Sequence, residues 1–132
     1  MSMAEANGLG RSWRLLIVDD SNIIRRRIER SQQFGDLEVV GAASNGVEAL
    51  ALFRQTDPDL VTMDLTMPQM DGIECIEKLV QVKPSVRILV ISALADKATA
   101  VDAMEKGANG FLNKPFTDRQ LNEALAELMR GR

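Results

Sequence analysis

The side chains of this 132-residue chain best suited to chemistry are acids, a hydroxyl and a lysine, each placed where a short apolar run ends. Asp19-Asp20 follows Leu15-Leu16-Ile17-Val18, and Asp64 closes the run that begins at Asp59. Ser92 follows the run from Arg87 to Ile91, and Lys114 follows Gly110 to Asn113. Three carboxylates converging on one edge repel one another unless a cation stands among them. Their oxygens are hard donors, which favours Mg²⁺, with Mn²⁺ as a substitute, over zinc or copper. Mg²⁺ keeps several waters and takes phosphate oxygens readily, so such a site is open and faces phosphate. Lys114 adds a second positive charge and Ser92 a hydroxyl donor. A single acid at a strand end can equally well solvate a loop or cap a helix; five convergent groups have no such simple account.

Composition removes the main competing chemistries. The chain has no histidine, which excludes Ser-His triads, Cys-His nucleophiles, His-ligated zinc and imidazole acid/base catalysis. Its one cysteine, Cys75, allows neither an internal disulfide nor a thiol metal cluster, and in an apolar helix pattern it reads as a small core residue. A net charge of −3 is too acidic for a general phosphate-backbone binder, so no direct nucleic-acid contact is expected. Met1 to Arg11 has no secretory pattern, and the longest apolar run is about five residues against the roughly eighteen that span a bilayer. The expected location is the cytoplasm, without membrane insertion.

The elements that must position these groups alternate regularly. Residues 1–12 are expected to form a loose lead-in and 13–132 one domain. Strands are predicted over Leu15 to Val18, Glu38 to Ala43, Asp59 to Asp64, Arg87 to Ile91 and Gly110 to Asn113. Between them lie helices: one capped by Ser21 with Ile24 and Ile28 inward, one opened by Asn45-Gly46 with Val47, Leu50 and Phe53, and one after Gly72 with Ile73, Ile76, Leu79 and Val80. A fourth runs from Ala95 to Lys106 with Gly107 at its end, and Thr117 caps a last one carrying Leu121, Leu125 and Leu128. Strict alternation implies parallel pairing, right-handed crossovers and helices on both sheet faces. The length is too short for an eight-stranded barrel. An open doubly wound α/β sheet remains, and such sheets bind ligands at the carboxyl ends of their strands. The first turn carries two acids where a dinucleotide binder has G-x-G-x-x-G, and no G-x-x-x-x-G-K-[ST] is present.

Ile17-Val18-Asp19-Asp20-Ser21, the stretch Met63-Asp64-Leu65-Thr66-Met67-Pro68-Gln69-Met70-Asp71-Gly72, and Asn113-Lys114-Pro115-Phe116 resemble the signatures of bacterial response-regulator receiver domains. The resemblance covers about residues 13 to 130. It implies a flavodoxin-like (βα)5 fold with strand order 2-1-3-4-5. It implies that Asp64 is the phosphoacceptor, attacking phosphorus in line to form an acyl phosphate. Asp19, Asp20, Asp64 and the Thr66 main-chain carbonyl match the Mg²⁺ ligands, and Lys114 matches the lysine that pairs with the phosphoryl group. Ser92 matches the hydroxyl that moves toward the phosphoryl oxygen, and Phe111 the aromatic switch. Phe lacks the hydroxyl of a Tyr, so any hydrogen bond a Tyr would make is unavailable; a core aromatic on a short strand is the alternative reading of Phe111. Thr66 and Leu94 match positions bordering the phosphoryl group; Leu94 cannot hydrogen-bond a hydrolytic water, which implies a persistent phosphoryl group. The Lys114-Pro115 bond is expected to be cis.

With no histidine of its own, the chain needs an outside donor: a sensor histidine kinase, a histidine phosphotransfer domain or a small acyl phosphate. Arg25, Arg26, Arg27 and Arg30 beside the site read either as a solvated face or as a docking surface for an acidic donor. The leading expectation is a stand-alone, CheY-like receiver, a signalling protein rather than an enzyme. It would bind its output partner through the fourth helix, fifth strand and fifth helix; Val61 to Pro68 is most similar to chemotaxis proteins acting on the flagellar motor switch. The alternatives are a receiver from a larger transcriptional regulator, a phosphorelay intermediate, a Mg²⁺-dependent phosphohydrolase using Asp64 as nucleophile, and a degenerate scaffold. The phosphohydrolase reading calls for an acid two residues after the nucleophile, where this chain has Thr66.

Overall fold

A computed structural model describes residues 12–67, 70–93 and 96–130. The elements in chain order are β1 (Trp13–Val18), α1 (Asn22–Ser31), β2 (Leu37–Ala43), α2 (Gly46–Thr56) and β3 (Leu60–Met63). There follow α3 (Gly72–Val82), β4 (Arg87–Ser92), α4 (Lys97–Glu105), β5 (Gly110–Asn113) and α5 (Asp118–Arg130). The strands form one sheet in the order β2-β1-β3-β4-β5, every pair parallel. This is the doubly wound topology expected from the alternation, with the expected strand order. No helix among the described residues is long and apolar enough to cross a membrane.

The continuous apolar runs Leu15-Leu16-Ile17-Val18 of β1 and Ile88-Leu89-Val90-Ile91 of β4 reflect a sheet covered on both faces. Alternate residues feed two cores. Leu16, Val18, Val61, Met63, Ile88 and Val90 pack with Phe53, Ile76 and Leu79 of α2 and α3. Trp13, Leu15, Ile17, Leu60, Leu89 and Ile91 pack with Ile28 of α1 and with Leu121, Leu125 and Leu128 of α5. Each helix starts on a side chain that accepts one of its unpaired N–H groups. Ser21 Oγ accepts from Ile24 N at 3.2 Å, and Asn45 Oδ1 from Glu48 N at 2.8 Å. Thr117 Oγ1 accepts from Gln120 N at 3.0 Å, while Gln120 Oε1 accepts from Thr117 N at 2.9 Å, a reciprocal cap. Gly107, at φ 123° after α4, takes the conformation expected of a helix-ending glycine.

Strand ends shift by one or two residues, β3 spanning Leu60–Met63 rather than Asp59 to Asp64, and two helix expectations change. The fourth helix begins at Lys97 rather than Ala95, because Asp96 Oδ2 accepts from Thr99 N at 3.1 Å and caps it. Val47 is 55% exposed; Ala49 and Phe53 make the buried face of α2 instead, since the surface that α2 packs on sets its rotation. Leu94 and Ala95, like the lead-in through Arg11, lie outside the described residues.

Candidate functional site

Parallel pairing puts every strand's carboxyl end on one edge, and the residues after the strands hang from the ladder. Asp64 N donates to Val18 O at 2.9 Å, Asp19 N to Ala43 O at 3.0 Å, and Lys114 N to Ser92 O at 2.9 Å. The crevice opens where strand order reverses, between β1 and β3, and Asp19, Asp20 and Asp64 stand there. Among the described residues these three offer carboxylate oxygens all within 4.8 Å of one another. Asp19 and Asp64 are buried and Asp20 is exposed, so the group opens to solvent on one side.

Lys114 reaches into the cluster from β5. Its Nζ lies 2.8 Å from Asp19 Oδ2 and 3.6 Å from Asp64 Oδ1. Asp19 Oδ1 also accepts from Ser21 N at 2.9 Å, which orients that carboxylate from its own loop. Asp64 Oδ1 accepts from Thr66 N at 3.4 Å. The Asp64 carboxyl is pushed up from an ordinary 3.8 to about 6, by burial first and then by the charge of Asp19, with a smaller contribution from Asp20. Lys114 and the Thr66 N–H offset this only in part. Burying and crowding carboxylates disfavours their charged form, and a cation between them restores it.

Ser92 ends β4 fully buried, in register with Asn113 immediately before Lys114. Phe111 sits half-buried on β5, in register with Val90, against the core on the α2–α3 side. It also borders a cavity of about 320 Å³ between the β4–β5 edge and α5. Thr66 is exposed two residues beyond Asp64. The Lys114-Pro115 bond is cis, as the resemblance implies. Cys75 is buried in the core and its thiol is pushed up to about 12 by burial, as befits a packing residue.

Two residues build the site in ways the sequence reading did not assign: Gly72, and Arg25, read there only as part of a solvated or docking face. A Cβ on Gly72 would lie 2.4 Å from the Asp64 carbonyl oxygen and 2.6 Å from Leu65 Cα, so only glycine lets the start of α3 approach the loop after Asp64. The available signal was a glycine opening a helix, where it is otherwise a poor helix former. Arg25 Nη1 donates to the Asp19 main-chain oxygen at 2.7 Å and braces that loop. Of the other α1 arginines, Arg27 contacts Phe116 and Asp118, while Arg26 and Arg30 flank exposed Ile23 on the outer surface.

Fold and site together define a flavodoxin-like α/β protein with an acidic, lysine-braced site at the switch point of its sheet. The chain belongs to the response regulator receiver domain family, whose profile matches residues 15–126. It is CheY-like, of the two-component signalling class. It is 41% identical over 112 residues to the chemotaxis protein CheY of Listeria monocytogenes, covering 85% of this chain and 94% of that one. It is 44% identical over 115 residues to a protein-glutamate methylesterase/protein-glutamine glutaminase of Pseudoalteromonas atlantica, covering 84% of this chain but 30% of that one. The CheY chain of the CheX-CheY-BeF3-Mg²⁺ complex from Borrelia burgdorferi superimposes with a TM-score of 0.84 at 28% identity, over 92% of each chain.

Proposed function

We propose that this protein accepts a phosphoryl group on Asp64 from the phosphohistidine of a sensor kinase or histidine phosphotransfer domain. The observation that carries the reading is three carboxylates within 4.8 Å of one another, two of them buried, braced by Lys114. A set of hard oxygen donors with excess negative charge fits Mg²⁺. Asp19, Asp20, Asp64 and the Thr66 main-chain carbonyl would hold the ion, which supplies charge neutralisation at the phosphoryl oxygens.

Within the chain, an Asp64 carboxylate oxygen bonds to phosphorus as the donor's P–N bond breaks, and the leaving imidazole keeps that electron pair and takes up a proton. Lys114 Nζ, 3.6 Å from Asp64 Oδ1, pairs with a phosphoryl oxygen. The added phosphoryl group brings about −1.5 to −2 of charge where Asp64 had carried about −1. Ser92, one strand away, turns its hydroxyl toward that charge, and Phe111 repacks as the β4 end moves. The altered α4–β5–α5 face then binds an output protein. The likeness to a chemotaxis CheY supports a chemotaxis output at the flagellar motor switch, and a cytoplasmic site of action.

Intact mass after incubation with acetyl phosphate tests the reading, with and without Mg²⁺ and beside Asp64→Asn. One Mg²⁺-dependent phosphoryl adduct, absent from the variant, is expected. No adduct on folded, Mg²⁺-loaded protein, either from acetyl phosphate or from a purified kinase, overturns it.

A further inference from the structure

The loop that follows Lys114 is held from outside the sheet by one side chain of α1. Arg27 Nη2 donates to the Phe116 main-chain oxygen, and its guanidinium lies 4.4 Å from the centroid of the Phe116 ring. The same group stands 3.5 Å from Asp118 Oδ1, in the first turn of α5. Phe116 is itself buried in the core beneath α1 and α5, so the contact is made to a fixed point. A planar guanidinium can cover a ring with its face while its edges serve a carbonyl and a carboxylate; an ammonium cannot do all three. Asn122 closes the same seam further along: its Nδ2 donates to Ser31 O at 2.9 Å and its Oδ1 accepts from Gln33 N at 2.9 Å.

The other end of α1 grows out of the acidic loop. Ser21 caps it, and Arg25, two residues before Arg27, donates to the Asp19 main-chain oxygen. One helix therefore grips both sides of the site: the loop that presents Asp19 and Asp20, and the loop that presents Lys114. After the bond from Lys114 N to Ser92 O the chain leaves the sheet, and the contacts of Arg27 fall on the second and fourth residues beyond that lysine.

We infer that Arg27 is a positioning residue for Lys114: by fixing the Phe116 carbonyl and ring against α1, it sets where the ammonium stands between Asp19 and Asp64. The bearing on phosphoryl transfer rests on the function proposed above. The placement of Lys114 does not, and it can be read separately.

Two variants separate packing from positioning. Arg27→Met keeps an apolar stem over the ring without donor or charge, and Arg27→Lys keeps charge and a donor without the planar fork. The first readout is reductive methylation of Lys114 in Mg²⁺-free protein, followed by mass spectrometry, with hydrogen exchange over 112–118 compared against β3. Lys114 labelling and local exchange should rise roughly fivefold in Arg27→Met and less in Arg27→Lys, with β3 unchanged. The second readout is the rate of adduct formation from acetyl phosphate at saturating Mg²⁺. It should fall about tenfold in Arg27→Met and recover partly in Arg27→Lys, with apparent Mg²⁺ affinity within about twofold of wild type.

Unchanged Lys114 labelling in Arg27→Met overturns the inference. So does exchange that rises equally in β3, which would make Arg27 a general support of the fold. Raised labelling with an unchanged adduct rate also overturns its role in the reaction. Raised labelling in a protein whose wild type forms no adduct upholds the placement of Lys114 and refutes the reading of Asp64 instead.

Discussion

Replacing Asp64 by asparagine should make the metal-free protein more stable, and by an amount that depends on pH. The folded state holds the Asp64 carboxyl at about 6 against an ordinary 3.8, so it binds that proton more tightly than the unfolded chain does. For an acid whose folded value is raised, stability is lost as pH climbs from the unfolded value to the folded one and is level above it. The full difference corresponds to at most about 3 kcal/mol, at about 1.4 kcal/mol for each tenfold in proton affinity. Solvent reaches the site from the side of Asp20, and screening reduces this to roughly 1–2 kcal/mol. Asparagine keeps the shape and an oxygen to accept from Thr66 N, and it carries no charge to bury. Urea unfolding of both proteins in a chelator should give a gain of roughly 1–2 kcal/mol for Asp64→Asn at pH about 7.5 and about a third of that at pH about 4.5. Saturating Mg²⁺ should shrink or reverse the gain, because an ion held as proposed stabilises the protein that retains Asp64 more than the variant. An equal gain at both pH values would refute the electrostatic reasoning, and no gain at the higher pH would refute the crowding itself.

Lys114→Met leaves buried Asp19 without its ammonium and should cost about 3 kcal/mol in the metal-free protein, part of it recovered by Mg²⁺, as read by urea unfolding. Gly72→Ala sets a Cβ against the Asp64 carbonyl and Leu65 Cα, so a loss of about 2–4 kcal/mol in thermal melts is expected, along with weaker Mg²⁺ binding as the loop shifts. The Cys75 thiol, buried and pushed up to about 12, should react with Ellman's reagent at mildly alkaline pH only as fast as the protein opens; rapid labelling of the native state would contradict its burial.

What was legible in the sequence is what local rules control. Leu15 to Val18 reads as a strand covered on both faces whatever lies beside it, and Ser21, Asn45 and Thr117 cap their helices through side chains three residues from the N–H groups they satisfy. The strand-end residues were legible for a topological reason: parallel strands send all their carboxyl ends to one edge, so Asp19, Asp64 and Lys114 had to meet. What stayed hidden depends on partners distant in sequence. The rotation of α2, which leaves Val47 outward, is set by the surface it meets. The close approach served by Gly72 needs a loop that folds back onto it, and the hold of Arg27 on Phe116 joins residues 89 apart. A row of arginines in α1 looks like a solvated face until the chain 89 residues later comes to lie beside it.

The energetics of the site also bear on where a signal can travel. The backbone under Asp64 is tied into β1 and lies between buried strands, so a change of charge on Asp64 meets a sheet with two filled cores and little room to yield. On the proposed function, the groups that respond are side chains at and beyond the strand ends: the Ser92 hydroxyl at the end of β4 and the Lys114 ammonium after β5. If Asp64 accepts a phosphoryl group as proposed, the acceptor is rigid and the response falls to the side chains around it. The Asp64 carboxyl is hard to ionise because it is buried and crowded by Asp19, and on the proposed function its fixed position would direct the effect of added charge into the β4 and β5 ends. Loosening the site would make the acid easier to ionise, and it would also let Asp64 move to suit its neighbours, leaving the proposed rearrangement of Ser92 and Phe111 with less to drive it. On the proposed function, the unfavourable charge at Asp64 and the transmission of a signal to β5 have one physical origin, and a stabilising variant such as Asp64→Asn should lose both.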